Sequence, residues 1–229
     1  MQAKKSLAER VNVMRASVMG ANDGILSVAG IVIGGVAGAT ANNYAIFLSG
    51  IAGMLAGTVS MAMGGEYVSV NAQKDAQKKA TIQQKTALAL NYEQEFDYIR
   101  QGYLDKGISP QLAQQATQEM MTKDALGTTV RARFGFEINE MTNPYAAAFS
   151  SMISFPLGSI LPLAAISLFP LKIRVLATFI AVAIALMITG YSAAVLGNAN
   201  WKRGVLRNLI SGILTMLVTF LIGTWIGGG

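Results

Sequence analysis

The chain has 229 residues, a formal net charge of +6, and neither cysteine nor histidine. Their absence excludes disulfide frameworks, zinc fingers, thiol or imidazole catalysis and histidine proton relays, so any metal ion needs oxygen ligands or methionine sulfur. Hydrophobic residues make up 52% of the chain and charged residues 13%. The apolar residues are grouped in long blocks, which is typical of a membrane protein.

The N-terminal region does not resemble a signal peptide, because charged residues interrupt it before any long apolar stretch. Residues 5–18 are predicted to form a short amphipathic helix on the membrane surface. The first membrane span is predicted at residues 20–40 and the second at 44–70. Each is long enough to cross a bilayer, since about 20 helical residues span about 30 Å.

Residues 73–143 are polar and contain nine of the 18 basic and nine of the 12 acidic residues. Apolar residues at helical spacing predict a first helix that ends at a Lys-Gly pair, residues 106–107. A Ser-Pro pair at 109–110 is predicted to begin a second helix, and Asp124 to cap a third that continues through Phe134. This pattern predicts a small helical domain outside the membrane.

Three further spans are predicted at residues 145–169, 175–197 and 204–226. The first of them contains internal prolines, which kink a helix and either shape a pathway or bend the helix around its neighbours. The fold class is therefore all-α: a polytopic membrane protein with five transmembrane helices and a small helical domain inserted between the second and third. The expected domains are residues 1–72, 73–143 and 144–229.

The basic residues predict the orientation of the chain. If the N-terminus is cytoplasmic, 16 of the 18 basic residues lie in cytoplasmic segments, and only Lys172 and Arg174 lie outside. This asymmetry follows the positive-inside rule. The N-terminus and residues 73–143 are therefore expected to be cytoplasmic. The net charge is explained without nucleic acid, and no nucleic-acid partner is expected.

Only two acids fall within the predicted spans, Asp23 and Glu66. An acid at membrane depth is costly and indicates a functional site, and carboxylates can bind both a cation and a proton. The two lie at similar depth on antiparallel neighbours, with Asn22, Met61 and Met63 as candidate pathway neighbours. In an α-helix Met63 shares a face with Glu66, whereas Met61 lies about 140° away. Alternatively, the acids anchor the span ends and the methionines only pack.

In the polar domain, Glu93 and Asp97 share one helix face, and Glu137 and Glu140 share another. Paired carboxylates on facing helices build cation sites in helical bundles. The alternative is a solvated helix surface, which is the usual location of a run of charges and is favoured by spacing alone.

Five segments, in this order along the chain, resemble the vacuolar iron transporter family. The resemblance covers nearly the whole chain and implies a homodimer of five-helix subunits in a lipid bilayer, with a cytoplasmic metal-binding domain. It also implies export of ferrous iron, and often manganese, from the cytosol in exchange for protons, with no tightly bound cofactor. The segments are Ala21-Asn-Asp-Gly24, Ser60-Met-Ala-Met-Gly-Gly-Glu-Tyr-Val-Ser-Val70, Tyr103-Leu-Asp-Lys-Gly-Ile108, Lys123-Asp-Ala-Leu126 and Ser154-Phe-Pro-Leu-Gly158.

By this resemblance, Asp23 corresponds to the family's first-helix acid, Met61 to its metal-contacting methionine, and Glu66 to the acid of a Gly-Glu-Tyr pattern. The sequence departs from the family at Tyr98, where an acid is common, and at Arg133, where some members carry methionine. A cationic residue near a cation site would weaken it. The acids that match the metal-binding helices are Glu93, Asp97, Glu119 and Glu137, with Glu95 and Glu140 as further partners.

The sequence thus predicts a metal exporter, with a bacterial plasma membrane as its expected location. The alternative is a membrane-anchored metal buffer or sensor that transports nothing. An enzyme is not expected, because the chain contains no nucleophile–base pair, phosphate loop or HExxH-type motif.

Overall fold

A computed structural model describes residues 7–38, 42–138 and 142–227, and these residues form helices and connecting turns without strands. They divide into two compact units. The membrane unit comprises the described residues within 10–69 and 143–229, and the helical unit is built mainly from those within 70–142. The all-α fold class is therefore confirmed.

The first half of the membrane unit consists of two long helices. Helix α1 spans Leu7–Gly38, and α2 spans Asn43–Val59. A π-helical segment, Ser60–Val68, follows α2 and leads into α3, Ser69–Leu90. The expected separate surface helix at the N-terminus is wrong: its described residues continue without a break into the first span. Even the turn-prone Asn22-Asp-Gly24 step is helical, since Gly24 packs closely against the backbone of Phe155.

Three more helices complete the membrane unit: α6 (Pro144–Leu168), α7 (Arg174–Leu196) and α8 (Trp201–Gly227). With the stretches Glu9–Ala37 and Asn43–Leu90, five helices are long and apolar enough to cross a membrane. The number of predicted spans is confirmed. Their core is apolar, and its most buried large side chains are Val28, Val32, Ile33, Leu186 and Met216.

Helices α1 and α6 approach each other so closely that only glycine fits at the crossing. A Cβ atom on Gly24 would collide with the carbonyl oxygen of Phe155, and one on Gly158 would collide with that of Ala21. Small residues allow this contact between membrane helices. The crossing fixes Asp23, which is next to Gly24, against the middle of α6.

The helical unit contains α4 (Tyr92–Leu104) and α5 (Pro110–Phe134), packed around Phe96, Ile99 and Met121. Helix α5 is broken at Asp124, whose backbone is non-helical. The Asp124 carboxylate accepts a hydrogen bond of 2.8 Å from the Gly127 amide. Asp124 therefore caps the second half of α5, as its sequence position predicted.

Candidate functional site

The π-helical segment contains Met61, Met63 and Glu66. In a π-helix each amide bonds to the carbonyl five residues earlier, so residues at i and i+5 lie approximately one above the other. Met61 and Glu66 have this spacing. The wider turn therefore brings Met61 and Glu66 nearer to one face than a regular α-helix would. Met63 is instead 49% exposed, whereas Glu66 is 1% exposed, so these two side chains occupy different environments.

Asp23 and Met61 line the same cavity in the membrane unit. The cavity has a volume of about 310 Å³, and its other lining residues are Ser27, Gly57, Ser60, Gly65 and Phe155. The Asp23 carboxylate accepts a hydrogen bond of 3.0 Å from the Ser27 hydroxyl. Among the residues that the structure describes, Asp23 has no ion pair. The cavity thus combines an anionic oxygen ligand with hydroxyl oxygen and thioether sulfur.

Glu66 has a different partner from Asp23. Its Oε2 atom lies 2.8 Å from Nη2 of Arg15, which reaches it from the first part of α1. The same guanidinium contacts Asn12 Oδ1 at 3.1 Å and Met19 Sδ at 3.2 Å. A buried carboxylate is costly unless it is paired, and Arg15 supplies that partner. The two membrane acids are therefore not joined in one carboxylate pair here.

Asn22 faces other helices than those that line the Asp23 cavity. Its side-chain oxygen accepts hydrogen bonds from Asn208 Nδ2 at 3.2 Å and Thr189 Oγ1 at 3.5 Å. Asn208 also donates to Thr189 at 3.3 Å. This cluster ties α1 to α7 and α8. The structure therefore gives Asn22 an interhelical contact and does not bring it to the cavity.

Three of the helical unit's candidate metal ligands are exposed and separate. Asp97 pairs with Arg100 at 3.0 Å on its own helix, Glu119 accepts a hydrogen bond from Gln115 at 3.1 Å, and Glu93 is exposed. Glu140 lies outside the described residues. Across the described part of the chain, no group of three or more Asp and Glu side chains is arranged to hold a metal ion.

Glu95 is buried and fully engaged within the helical unit. Its carboxylate accepts hydrogen bonds of 2.8 Å from both Nε and Nη2 of Arg133, and one of 2.7 Å from Gln84. The guanidinium of Arg133 also lies over the Tyr98 ring, 3.9 Å from its centroid. The two departures from the family pattern are thus in contact with each other. Together these residues join α3, α4 and α5 by bidentate pairing and stacking.

Glu137 is also occupied by an arginine, since Nη2 of Arg131 donates to it at 2.7 Å. Hydrogen bonds with these carboxylates raise the pKa of both guanidinium groups, that of Arg131 through Glu137 and that of Arg133 through Glu95. Both cations therefore remain charged at any working pH. Two of the predicted metal ligands, Glu95 and Glu137, are bound to fixed side-chain cations.

A family model and individual relatives both assign the chain to the same protein family. The family model described as "VIT family" matches residues 14–224. The chain belongs to the VIT family. It is 30% identical over 211 residues to a vacuolar iron transporter of Acanthamoeba castellanii, covering 92% of this chain and 77% of the relative. It is also 34% identical over 212 residues to vacuolar iron transporter homolog 1 of Oryza sativa subsp. japonica, covering 92% and 72%.

This VIT family member is therefore an integral membrane protein, in agreement with its five apolar helices. The sequence analysis did not identify the partner of Glu66. Arg15 stands eight residues before Asp23 on a helix that looked amphipathic, and no spacing rule links it to residue 66. The Gly64-Gly65 pair within the π-helical segment is the local signal for a distorted helix, because glycine weakens regular helix.

Proposed function

We propose that this VIT family protein transports divalent metal, ferrous iron or manganese, out of the cytosol in exchange for protons. The observation that carries the proposal is the cavity in which Asp23 and Met61 meet within a membrane-spanning bundle. An intramembrane acid in a cavity is a functional site by default. The names of the iron transporter relatives support iron as a substrate.

The ligand set of this cavity suits such a cargo. Carboxylate and hydroxyl oxygens bind Mn²⁺ and Fe²⁺, and a thioether shifts the preference towards the softer ion. We expect the metal to bind between Asp23 and Met61, with Ser27 orienting the carboxylate. Protonation of Asp23 would release the metal, because the neutral acid is a much weaker ligand. One carboxylate can thus serve both ions in turn.

Glu66, the second membrane acid, is paired with the side chain of Arg15. While Arg15 binds Glu66, that carboxylate is not available to a metal ion. Because Arg15 is 44% exposed and Glu66 only 1%, the arginine can move away more easily than the acid. We expect the metal to displace Arg15 from Glu66 during transport, after which Met61 and Glu66 contact the ion from one face of the π-helical segment.

We further propose that two copies associate through α2. Asp23 is exposed on the surface of a single chain, where lipid contact would be costly. Exposed small residues run along α2 from its start to the cavity, and such stripes allow close helix contact. A second copy would cover both features. The stripe consists of Ala45, Ser49, Ala52, Ala56 and Ser60.

Disulfide cross-linking tests this dimer, because the natural chain contains no cysteine. We expect Ala52→Cys to form an intermolecular disulfide in membranes on mild oxidation. The matched control is Leu176→Cys on α7, a residue that is 63% exposed and lies outside the stripe; this variant should remain monomeric. Equal cross-linking of both variants would contradict the α2 interface.

Transport itself is tested with proteoliposomes that contain the wild-type protein, under a set pH gradient. Ferrous iron and manganese are supplied separately, and metal uptake and proton movement are recorded together. We expect both fluxes to depend on the protein and on each other. Metal binding without flux would instead support a membrane-anchored buffer, and metal flux without proton movement would remove the antiport.

A bacterial plasma membrane with a cytoplasmic N-terminus remains the expected setting.

A further inference from the structure

Arg174 is a buried cation at the end of the membrane unit that is remote from Glu66. It is the first residue of α7 and only 9% exposed. It is also one of the two basic residues that do not follow the positive-inside pattern. About 23 residues of helix separate its contact residue Asn43 from Glu66, which corresponds to about 35 Å. Asp23 lines a cavity with Gly57, which is about 21 Å from Asn43 along α2, so neither membrane acid is within reach.

No aspartate or glutamate side chain lies in the stretches of the chain that surround Arg174. The sequence contains no aspartate or glutamate in residues 24–65 or 141–229. Arg174 Nη1 donates a 2.5 Å hydrogen bond to the neutral side-chain oxygen of Asn43. Its buried Nε atom has no partner among the described residues. A buried guanidinium with an unused donor and no counter-charge is costly, which indicates that an external anion completes the site.

The space for such an anion is present. Arg174 and Asn43 line a cavity of about 400 Å³ together with Tyr44, Ser167 and apolar residues from the start of α2, the end of α6 and the turn that follows α6. Helices α2 and α7 begin here and α6 ends here, so two positive dipole ends and one negative end meet at the cavity, and the positive ends predominate. Helix α7 also begins without a side-chain cap at Ile173. The fork of an arginine suits the oxygen atoms of phosphate.

We infer that the cavity around Arg174 binds a phosphate group. Its source is either the headgroup of an anionic phospholipid or free inorganic phosphate, because the site lies at a membrane-unit end that both can reach. The inference does not depend on metal transport. It assigns a role to Arg174, which the proposed pathway does not use.

Two binding measurements on the full-length protein distinguish the sources. The delipidated protein is titrated with phosphatidylglycerol or phosphatidylcholine and bound lipid is counted by native mass spectrometry. In parallel, its thermal unfolding is followed with and without inorganic phosphate. Selective retention of phosphatidylglycerol identifies the lipid source, and stabilisation by inorganic phosphate identifies the free anion. If folded wild-type protein shows neither effect, the inference is overturned.

Substitutions at Arg174 and Lys172 test where the phosphate group binds. We expect Arg174→Gln to weaken binding by at least about tenfold, since hydrogen bonds to charged groups are lost. The matched control is Lys172→Gln, which removes an exposed charge two residues away and should change affinity by less than about twofold. Arg174→Lys keeps the charge without the fork and is expected to bind with intermediate affinity. Weaker binding in Lys172→Gln, with Arg174→Gln unaffected, would overturn the assignment.

Discussion

Asp23 in the membrane unit and Glu95 in the helical unit are both acids that the sequence marks as metal ligands, yet they have opposite surroundings. Asp23 faces a cavity with a hydroxyl and a thioether, and no described cation pairs with it. Glu95 is buried beneath Arg133 and Gln84. A carboxylate that has no arginine partner, such as that of Asp23, is more available to a mobile cation than one that is already paired, such as that of Glu95.

Other acids of the chain also have arginine partners. Arg131 forms an ion pair with Glu137, and Arg15 forms one with Glu66. Among the described residues, arginine therefore pairs with one acid of the membrane unit and with three of the helical unit, Glu95, Asp97 and Glu137. We expect a metal ion to compete with arginine for Glu66, because Arg15 is more exposed than the acid. We expect no such competition at Glu95, because Arg133 is bound both by the Glu95 carboxylate and by the Tyr98 ring.

The largest expected effect is a difference in metal transport between two variants. Each variant removes one acidic charge, one in the membrane unit and one in the helical unit. Asp23→Asn should reduce metal transport by at least about 100-fold, because even second-shell changes cost 10–100-fold. Glu119→Gln, the same chemical change at an exposed acid, should leave transport within about twofold of wild type. Initial rates in proteoliposomes give both values. Equal losses in the two variants would place an essential metal site in the helical unit.

Arg133→Met should destabilise the helical unit by about 2 kcal/mol, because it leaves Glu95 buried and unpaired. This is below the range for a fully buried pair, since Arg133 is 31% exposed. Hydrogen–deuterium exchange of α4 and α5 measures the effect. Glu95→Leu added to Arg133→Met should restore most of the stability. The control Arg131→Gln, whose pair with Glu137 is exposed, should change exchange little. Unchanged protection in Arg133→Met would show that the pair is not structural.

Arg15→Gln should tighten metal binding to the membrane unit by about tenfold, because a competing cation leaves Glu66. Isothermal titration of purified protein with Mn²⁺ measures the dissociation constant. Arg10→Gln removes an exposed charge from the same helix and serves as the control. If Arg15→Gln has wild-type affinity, then Glu66 does not bind metal and its ion pair only stabilises the bundle.

The smallest effect is expected at the break in α5. Asp124→Ala should destabilise the second half of the helix by about 1 kcal/mol, the usual loss for an N-cap residue. Asp124→Asn keeps an acceptor for the Gly127 amide and should be close to wild type. Amide exchange within residues 125–134 reports the change. Faster exchange in both variants would indicate that the charge, and not the cap, stabilises this segment.

The sequence by itself determined the all-α membrane fold, the five spans, the break at Asp124 and the two membrane acids. These features follow from local rules: apolar runs of bilayer length, turn and cap residues, and the cost of an acid in lipid. The order of the residues also shows that positions 24–65 and 141–229 contain no aspartate or glutamate.

Only the tertiary structure decided which acids are already paired. The contacts of Arg15 with Glu66 and of Arg133 with Glu95 join residues 51 and 38 positions apart, and no helical periodicity predicts them. The π-helical segment likewise alters the angular spacing of Met61, Met63 and Glu66, which the regular helical repeat does not predict. An ion pair requires atoms within a few ångströms, and helix packing, not residue spacing, brings distant side chains to that distance.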